Sequence, residues 1–392
     1  MSSYTQIKEK KNLSYQEKYF QKGISLQKNV NGGMHKKNAC STCSKFSKKF
    51  EKKDYSNREI MISFINKKNP SFFEQFDIFE FISSGSVGYV YRGMFKSNKG
   101  QIALKFLINK KRKEMKKKKE KKNFEKQILK EIQISKMLHN KNVIEIYGYF
   151  KINENYNISV LELGKCGDLE NFSKKIIKRR FLPETVLNFF AKQILEALQY
   201  IHKCKIIHMD IKPRNILVDS DLNIKLTDFS VSLPYSTFNL ENSIEFPLAG
   251  TGKFMAPEII SKTNIKIKEC EKIDIYSFGS TLYYLFYGDY PYKLNDLKNK
   301  DYENILKNIE NEKLIFPQNR KISALFKDFL IKILKKDYTK RLNIRQALNH
   351  PWVQGAQIIF DEKENICNLE NFLIRLTTDN IPKFNEYIKL KK

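Results

Sequence analysis

Cysteine is scarce in this 392-residue chain. The six residues, Cys40, Cys43, Cys166, Cys204, Cys270 and Cys367, are irregularly spaced. That excludes a disulfide framework and suits a reducing compartment. Cys40-Ser41-Thr42-Cys43, with His35 nearby, is at most half of a zinc site. A closed structural site needs four ligands, and no second Cys or His pair lies close by. Long apolar runs are also missing, and none approaches the roughly 18 residues that a membrane span needs. The N-terminus, MSSYTQIKEKK, lacks the apolar segment of a secretory signal. Ser2 stands where myristoylation needs glycine, and YIKLKK at the C-terminus holds no cysteine for prenylation. The expectation is a soluble intracellular protein, cytoplasmic or nuclear, without a membrane span.

Acidic residues are in deficit: 43 Asp+Glu against 72 Lys+Arg, a formal net charge of +29. The excess is uneven. Residues 1–75 carry 16 basic and 6 acidic side chains, and residues 109–126 carry 11 and 3. Such runs attract anionic partners. A lysine run without interleaved aromatics is, however, the pattern of a solvated face, and specific nucleic-acid binding is not expected. Apolar residues make up 41% of the chain and aromatics 13%, enough for a sizeable core.

The chain changes character along its length. Residues 1–75 are polar and lysine-rich, with Asn31-Gly32-Gly33 inside them, and are expected to be a mostly disordered basic extension. From Phe76 strands are expected at 77–83, 88–93 and 101–108. A helix is expected at 126–138 from its apolar spacing, followed by strands at 143–150 and 158–163. Pro183-Glu184 opens a long amphipathic helix to about Cys204. Short strands follow at 216–218 and 224–226, and helices dominate beyond Ala256. Strands first and helices second describe an α+β chain in two lobes. No internal repeat is evident.

Five motifs carry chemistry. Gly85-Ser86-Val87-Gly88 lies between two expected strands, where glycines let backbone N–H groups approach phosphates. Ile102-Ala103-Leu104-Lys105 puts a lysine inside an apolar strand, which calls for an anion; Glu131 on the following helix is a candidate. His208-Met209-Asp210-Ile211-Lys212-Pro213-Arg214-Asn215 sets Asp, Lys and Asn on one loop. Asp228-Phe229-Ser230 and Ala256-Pro257-Glu258 complete the set.

In this order and spacing the motifs resemble the signature of the eukaryotic protein kinase family, Ser/Thr type. The resemblance covers about Phe76 to Val353, with Asp274–Gly279, Arg341 and His350–Trp352 late in it. It implies a β-rich N-lobe with one key helix, a helical C-lobe and a nucleotide between them. The expected domains are thus the extension 1–75, a kinase domain 76–353 with a lysine-rich insertion at 109–126, and a C-terminal tail 354–392.

The resemblance implies ATP and Mg2+ as cofactors and protein substrates, acidic ones among them. It makes Lys105 the holder of the α- and β-phosphates, paired with Glu131, and Asp210 the acceptor of the substrate hydroxyl proton. Lys212 stabilises the transferred phosphoryl, and Asn215 and Asp228 hold magnesium. Ile82, Gly85, Gly88 and Val90 surround the nucleotide. Ala103 and Leu217 are roof and floor of the adenine slot, Leu161 guards its back, Glu162 and Leu163 supply hinge backbone, and Asp168 meets the ribose. Glu258 and Arg341 resemble a structural ion pair. Lys212 two residues after Asp210, and Thr251 in AGTGKFMAPE, look like Ser/Thr rather than tyrosine kinases, and HMDIKP is similar to the Wee-type mitotic inhibitor kinases.

Four positions depart from the pattern. Ser83 replaces the first loop glycine. Met209 replaces the arginine of His-Arg-Asp, which normally receives an activation-loop phosphate. Ser230 replaces the glycine of Asp-Phe-Gly, which is expected to restrict movement of Asp228. Ser135 replaces a large apolar residue. None removes a catalytic charge. The alternative is a pseudokinase scaffold that binds nucleotide or partners without efficient phosphotransfer.

Overall fold

The computed structural model describes residues 70–84, 88–108, 118–152, 156–176, 181–237, 243–294, 296–364 and 371–372. The described chain divides into two compact units, a small one with residues up to Met137 plus Ile144–Leu163, and a large one with Leu138–Val143 and everything from Gly164.

The small unit opens with helix α1 (Pro70–Gln75), followed by strands β1 (Phe76–Ser84), β2 (Gly88–Phe95) and β3 (Gln101–Ile108). Helix α2 (Lys118–Met137) and strands β4 (Ile146–Lys151) and β5 (Tyr156–Glu162) complete it. The five strands form one antiparallel sheet in the order β1-β2-β3-β5-β4. Strand alternation sorts β3 into two faces. Ile102, Leu104 and Phe106 enter an aromatic-rich core with Phe72, Phe76, Tyr91 and Phe95. Leu107, on the face of Ala103 and Lys105, packs instead on Ile128 and Ile132 of α2.

The structure adds to the expected small unit in two places. Six residues of the expected extension form α1, and Phe72 is fully buried, with its ring 4.8 Å from Phe76 and 5.3 Å from Phe150. The helix expected from 126 begins at Lys118, inside the lysine-rich run. Lys and Glu are strong helix formers, but they give no apolar periodicity to read. The rest of that run, the remainder of the extension, the Cys40–Cys43 pair and Gly85 lie outside the described residues.

The large unit is mainly helical. Its elements in order are α3 (Leu169–Asn171), α4 (Glu184–Lys203), β6 (Ile206–Ile207), β7 (Ile216–Val218), β8 (Ile224–Leu226), β9 (Leu233–Pro234) and β10 (Ser243–Ile244). Then come α5 (Pro257–Ile260), β11 (Ile265–Lys266), α6 (Lys272–Tyr287), α7 (Tyr302–Asn311) and α8 (Ala324–Ile333). Helices α9 (Ile344–Leu348), α10 (Pro351–Gln354) and α11 (Ala356–Glu364) follow. The strands make three antiparallel pairs, β6–β9, β7–β8 and β10–β11. α4 and α6 are buried over most of their circumference and form the centre of the unit.

Polar hubs fix the packing around that centre. Glu184, in the first turn of α4, accepts hydrogen bonds from Ser323 N–H and Oγ and from Trp352 Nε1. The Trp352 ring stacks on Phe326 at 4.3 Å. Arg341 and Glu258 form a buried two-pronged ion pair at 2.6 and 2.9 Å, and Arg341 also donates to Lys272 O at 2.7 Å. The described part of the expected tail is docked on α4. Lys192 Nζ donates to Gln357 Oε1 at 2.8 Å, Lys363 Nζ lies 5.5 Å from the Phe189 ring, and the buried Phe372 meets that ring edge-on at 5.6 Å. Among the described residues no helix is long and apolar enough to cross a membrane, and Cys166, Cys204 and Cys270 are free thiols.

Replacing Phe72 by Ala removes a fully buried ring from the small-unit core, a change that costs about 3–5 kcal/mol. Denaturant unfolding of Phe72→Ala is expected to show a loss in that range. A loss below ~1 kcal/mol would mean that α1 is not part of the folded unit.

Candidate active site

In the small unit the key group is Lys105. Alternation on β3 points it to the face on which α2 packs. Ile128 and Ile132 of α2 rest on Leu107, and Glu131 lies between them in sequence. The side chains meet, with Lys105 Nζ 2.6 Å from Glu131 Oε1, both about one-eighth exposed. Ala103 is buried and pairs with Leu161 across the β3–β5 ladder. Glu162 N–H donates to Glu145 O at 2.9 Å, which fixes the strand end, and Leu163 is buried. Val90 is half-buried, and Ile82 is 38% exposed on β1. Gly88 has a steric reason of its own: a Cβ there would fall 1.7 Å from Phe106 O on the neighbouring strand. Ser83 pairs with Val90, next to an irregularity in the β1–β2 register. Ser135 is buried within α2.

In the large unit the loop from His208 to Asn215 carries the site. It is held from below by Asp274 in the first turn of α6. This fully buried carboxylate accepts from His208 N–H and Met209 N–H, both at 2.9 Å, and meets His202 Nε2 at 2.8 Å. Burial alone would lift the Asp274 carboxyl. The hydrogen bond and charge of His202, with His208, outweigh that and hold it below the usual carboxylate range. Met209 is itself buried and adopts a left-handed φ of 70°. Its carbonyl packs against Gly250, which has φ 110°; a Cβ on Gly250 would lie 2.6 Å from that oxygen. Position 250 therefore needs glycine for backbone and space alike.

The next residue, Thr251, reaches the loop. Its N–H donates to Asp210 Oδ1 at 2.9 Å, and its Oγ1 accepts from Lys212 Nζ at 2.7 Å. Lys212 Nζ also lies 2.6 Å from Asp210 Oδ2. Asn215 Nδ2 donates to Asp210 Oδ2 at 3.0 Å and to Asp210 O at 2.8 Å. Asp210, Lys212, Asn215 and Thr251 thus form one connected cluster. Thr227 N–H donates to Asn215 O at 3.0 Å, which brings the following residue, Asp228, alongside. Asp228 is left-handed, with φ 68°, whereas Ser230 is not among the left-handed residues. The serine thus sits at its position without left-handed strain, and the unusual backbone belongs to Asp228. The buried Phe229 packs on the His208 ring at 5.1 Å.

Asp168 and Leu217 are joined by an isolated β-bridge. Asp168 caps α3, with Oδ1 accepting from Asn171 N–H at 2.8 Å and Oδ2 from Asn171 Nδ2 at 2.6 Å. Burial pushes its carboxyl up against those bonds. Arg214 Nε lies 2.8 Å from Glu170, which Lys174 also contacts at 2.6 Å. Burial works against the Glu170 charge, but the two cations hold its carboxyl below the usual range.

Several members of this arrangement carried no assigned role in the sequence. Asp274 and Gly250 stood only in matching strings, and His202 and Glu170 in none. The partners of Asp274 are 65 to 72 positions away along the chain, so no local pattern reports them.

The protein kinase domain family model matches residues 76–353. Calcium-dependent protein kinase 4 of Plasmodium falciparum (isolate 3D7) is 30% identical over 371 residues, covering 93% of this chain and 65% of the relative. Death-associated protein kinase 2 of Homo sapiens is 32% identical over 305 residues, 76% of this chain and 77% of the relative. Serine/threonine-protein kinase Aurora-2 of Arabidopsis thaliana is 28% identical over 278 residues, 71% of this chain and 89% of the relative. The chain spans about two-thirds of the length of the calcium-dependent kinases that it matches. With this match over most of its length and a β-sheet unit followed by a helical one, the chain belongs to the protein kinase family.

Proposed function

We propose that the chain is an active ATP-dependent kinase that transfers the γ-phosphoryl group to serine and threonine hydroxyls of proteins. The observation that carries this reading is the state of Asp210. A carboxylate offers about four lone-pair directions. Three are used, by Thr251 N–H, Lys212 and Asn215. The arrangement fixes the carboxylate rigidly and leaves one direction for a substrate hydroxyl. As the phosphoryl bond to that hydroxyl forms and the bond to ADP breaks, the hydroxyl proton passes to Asp210. Lys212, already on Asp210 and Thr251, offers its ammonium to the charge on the moving phosphoryl. Lys105, held by Glu131, serves the α- and β-phosphates. Phosphoryl transfer asks for positioning and charge neutralisation more than covalent chemistry, and these groups supply both.

The metal-binding residues also fit their ion. Asn215 spends its Nδ2 on Asp210, so Oδ1 is the atom it has for a cation, and Asp228 adds a carboxylate. Among the described residues no cluster of three His, Cys, Asp or Glu side chains forms a metal cage. Few protein oxygens, with phosphate oxygens for the remainder, is the donor set that magnesium takes, and the ion when bound would neutralise phosphate charge. Thr251 on Lys212 supports serine/threonine over tyrosine as acceptor.

Asp210→Asn and Lys105→Met are each expected to lower phosphotransfer by at least about 100-fold, the scale of a lost general base, while circular dichroism stays that of the wild type. Losses of only a few-fold in both would overturn the assignment.

Substrate choice follows from Arg214. It sits two residues beyond Lys212, where arginine-directed kinases carry an acid, and Glu170 is already claimed by Arg214 and Lys174. A substrate arginine meets like charge here, and acidic or pre-phosphorylated sequences associate faster. A peptide array is expected to show no selection for arginine two or three residues before the acceptor; strong selection there would contradict this reading.

Control by activation-loop phosphate also lacks its parts. Met209 is buried and uncharged, and Pro247, four residues before Thr251, has no hydroxyl. Basal activity without phosphorylation is expected, with control from the terminal regions, the lysine-rich insertion or a partner packing on α2. Phosphatase-treated protein should keep most of its activity. A loss of about 10-fold or more, reproduced by Ser243→Ala, would show that Ser243 phosphate does the ordering.

A further inference from the structure

Thr251 can hold Asp210 and Lys212 only if the segment that leads to it, from Asp228 onward, stays on the large unit. Two backbone pairings contribute. Leu233–Pro234 pairs with Ile206–Ile207, and Ser243–Ile244 pairs with Ile265–Lys266. Two-residue ladders are weak on their own. Between them stands Tyr235. Its N–H donates to Lys205 O at 2.8 Å, and Lys205 Nζ lies over its ring at 5.5 Å. Its hydroxyl is turned to the Cys270 thiol. That thiol in turn donates to Ile267 O at 2.7 Å, so the sulfur is fixed.

These contacts reach both sides of the catalytic loop. Lys205 precedes β6, which runs directly into His208. Cys270 lies four residues before Asp274, whose carboxylate holds His208 and Met209. Tyr235 thereby joins the activation segment to the two elements that shape the loop, with its backbone bond and its ring at Lys205 and its hydroxyl beside Cys270. The familiar device for this task is an ion pair between a segment phosphate and the residue before the catalytic Asp, and here that residue is the buried Met209.

We propose that Tyr235 is a permanent, phosphate-independent anchor of the activation segment, a positioning residue that acts on Asp210 and Lys212 through Thr251. The inference rests on the kinase reading above for its effect on turnover, though not for the anchoring itself. Burial and the Cys270 contact push the Tyr235 hydroxyl well above the usual tyrosine range, so the anchor stays neutral at physiological pH.

The test uses the full chain with Tyr235→Ala, Tyr235→Phe, Cys270→Ala and the Phe/Ala double variant. Initial rates are measured on casein as the acidic protein substrate. Nucleotide affinity is measured by ATP titration, and hydrogen exchange is followed over residues 232–236 and 251–255. Tyr235→Ala is expected to lower kcat about 10-fold or more, to leave ATP affinity within two-fold of wild type and to speed exchange in both stretches. Tyr235→Phe keeps the ring over Lys205 and should lose no more than about three-fold. Cys270→Ala should match it, and the double variant should be no worse than either, because both changes remove the same hydroxyl–thiol contact. If Tyr235→Ala does not fold, Tyr235→Leu fills the space without ring or hydroxyl and takes its place.

Wild-type kcat and exchange in the Ala or Leu variant would overturn the anchor. So would a loss of activity matched by an equal loss of ATP affinity and by faster exchange throughout the domain, the mark of an ordinary core residue. If the wild type itself transfers no phosphate, the kinase reading fails, and exchange in the two stretches alone then decides whether Tyr235 anchors the segment.

Discussion

The fully buried Asp274 carboxylate is the constraint on which the large-unit site depends. Removing a carboxylate from water costs several kcal/mol, and only good geometry offsets this. Here His202 and two backbone N–H groups supply it, all within 2.9 Å. Because the two N–H groups belong to consecutive residues, the grip dictates the path of the chain as well as its place. Met209 is turned into the left-handed region, a conformation rarely adopted by a long unbranched side chain. The next residue is Asp210, whose carboxylate is thereby presented to Thr251, Lys212 and Asn215. A weaker acceptor at 274 would leave buried N–H groups short of a partner, at a cost of about 1–3 kcal/mol each, and the turn at Met209 would lose its reason.

The small unit solves its part differently. Lys105 and Glu131 meet because strand alternation and helix packing bring two faces together, and the pair itself is partly exposed. The apolar tie beneath it brings Leu107, Ile146 and Tyr149 against Ile128 and Ile132. Ser135, one turn beyond Glu131, is buried yet adds little apolar area. The two parts of the site are therefore held in different ways. Asp210 is locked by a hydrogen-bonded network, whereas Glu131 rides on a helix held to the sheet by this apolar tie and by Glu125 on Lys151.

Legibility in the sequence tracked the range of the interaction. Strand β3 and the hairpin β7–β8 were readable to their ends because alternation and flanking turns are local signals. Helix α4 was readable from Pro183-Glu184 and its apolar spacing. Helix α1 is too short to show a period, and its role depends on where Phe72 lands among distant aromatics. The first turns of α2 are written in Lys and Glu, which favour helix without marking a face. In the site, residues clustered in one stretch, such as Asp210, Lys212 and Asn215, could be named together because the string resembles the family's signature. Asp274, His202 and Gly250 could not, because each acts across a large loop and the chain between carries no trace of the contact. Gly88 teaches a related lesson. A glycine in a phosphate-loop pattern suggests room for a ligand, yet the oxygen of Phe106 already forbids a Cβ there.

The nature of the contacts around the activation segment decides how switchable it is. A phosphate held by arginine is a strong latch that one phosphatase can remove, so its energy is available for control. The contacts seen here are a ring beneath Lys205, the Tyr235 N–H on Lys205 O, short backbone ladders and the buried side chain of Phe246. None of them needs a phosphate. Replacing arginine by methionine at position 209 fits that scheme, since an unpaired guanidinium buried at this depth would be costly without a phosphate to meet it. On the reading proposed above, the segment is held without a phosphate at all times, and regulation acts on something other than its order.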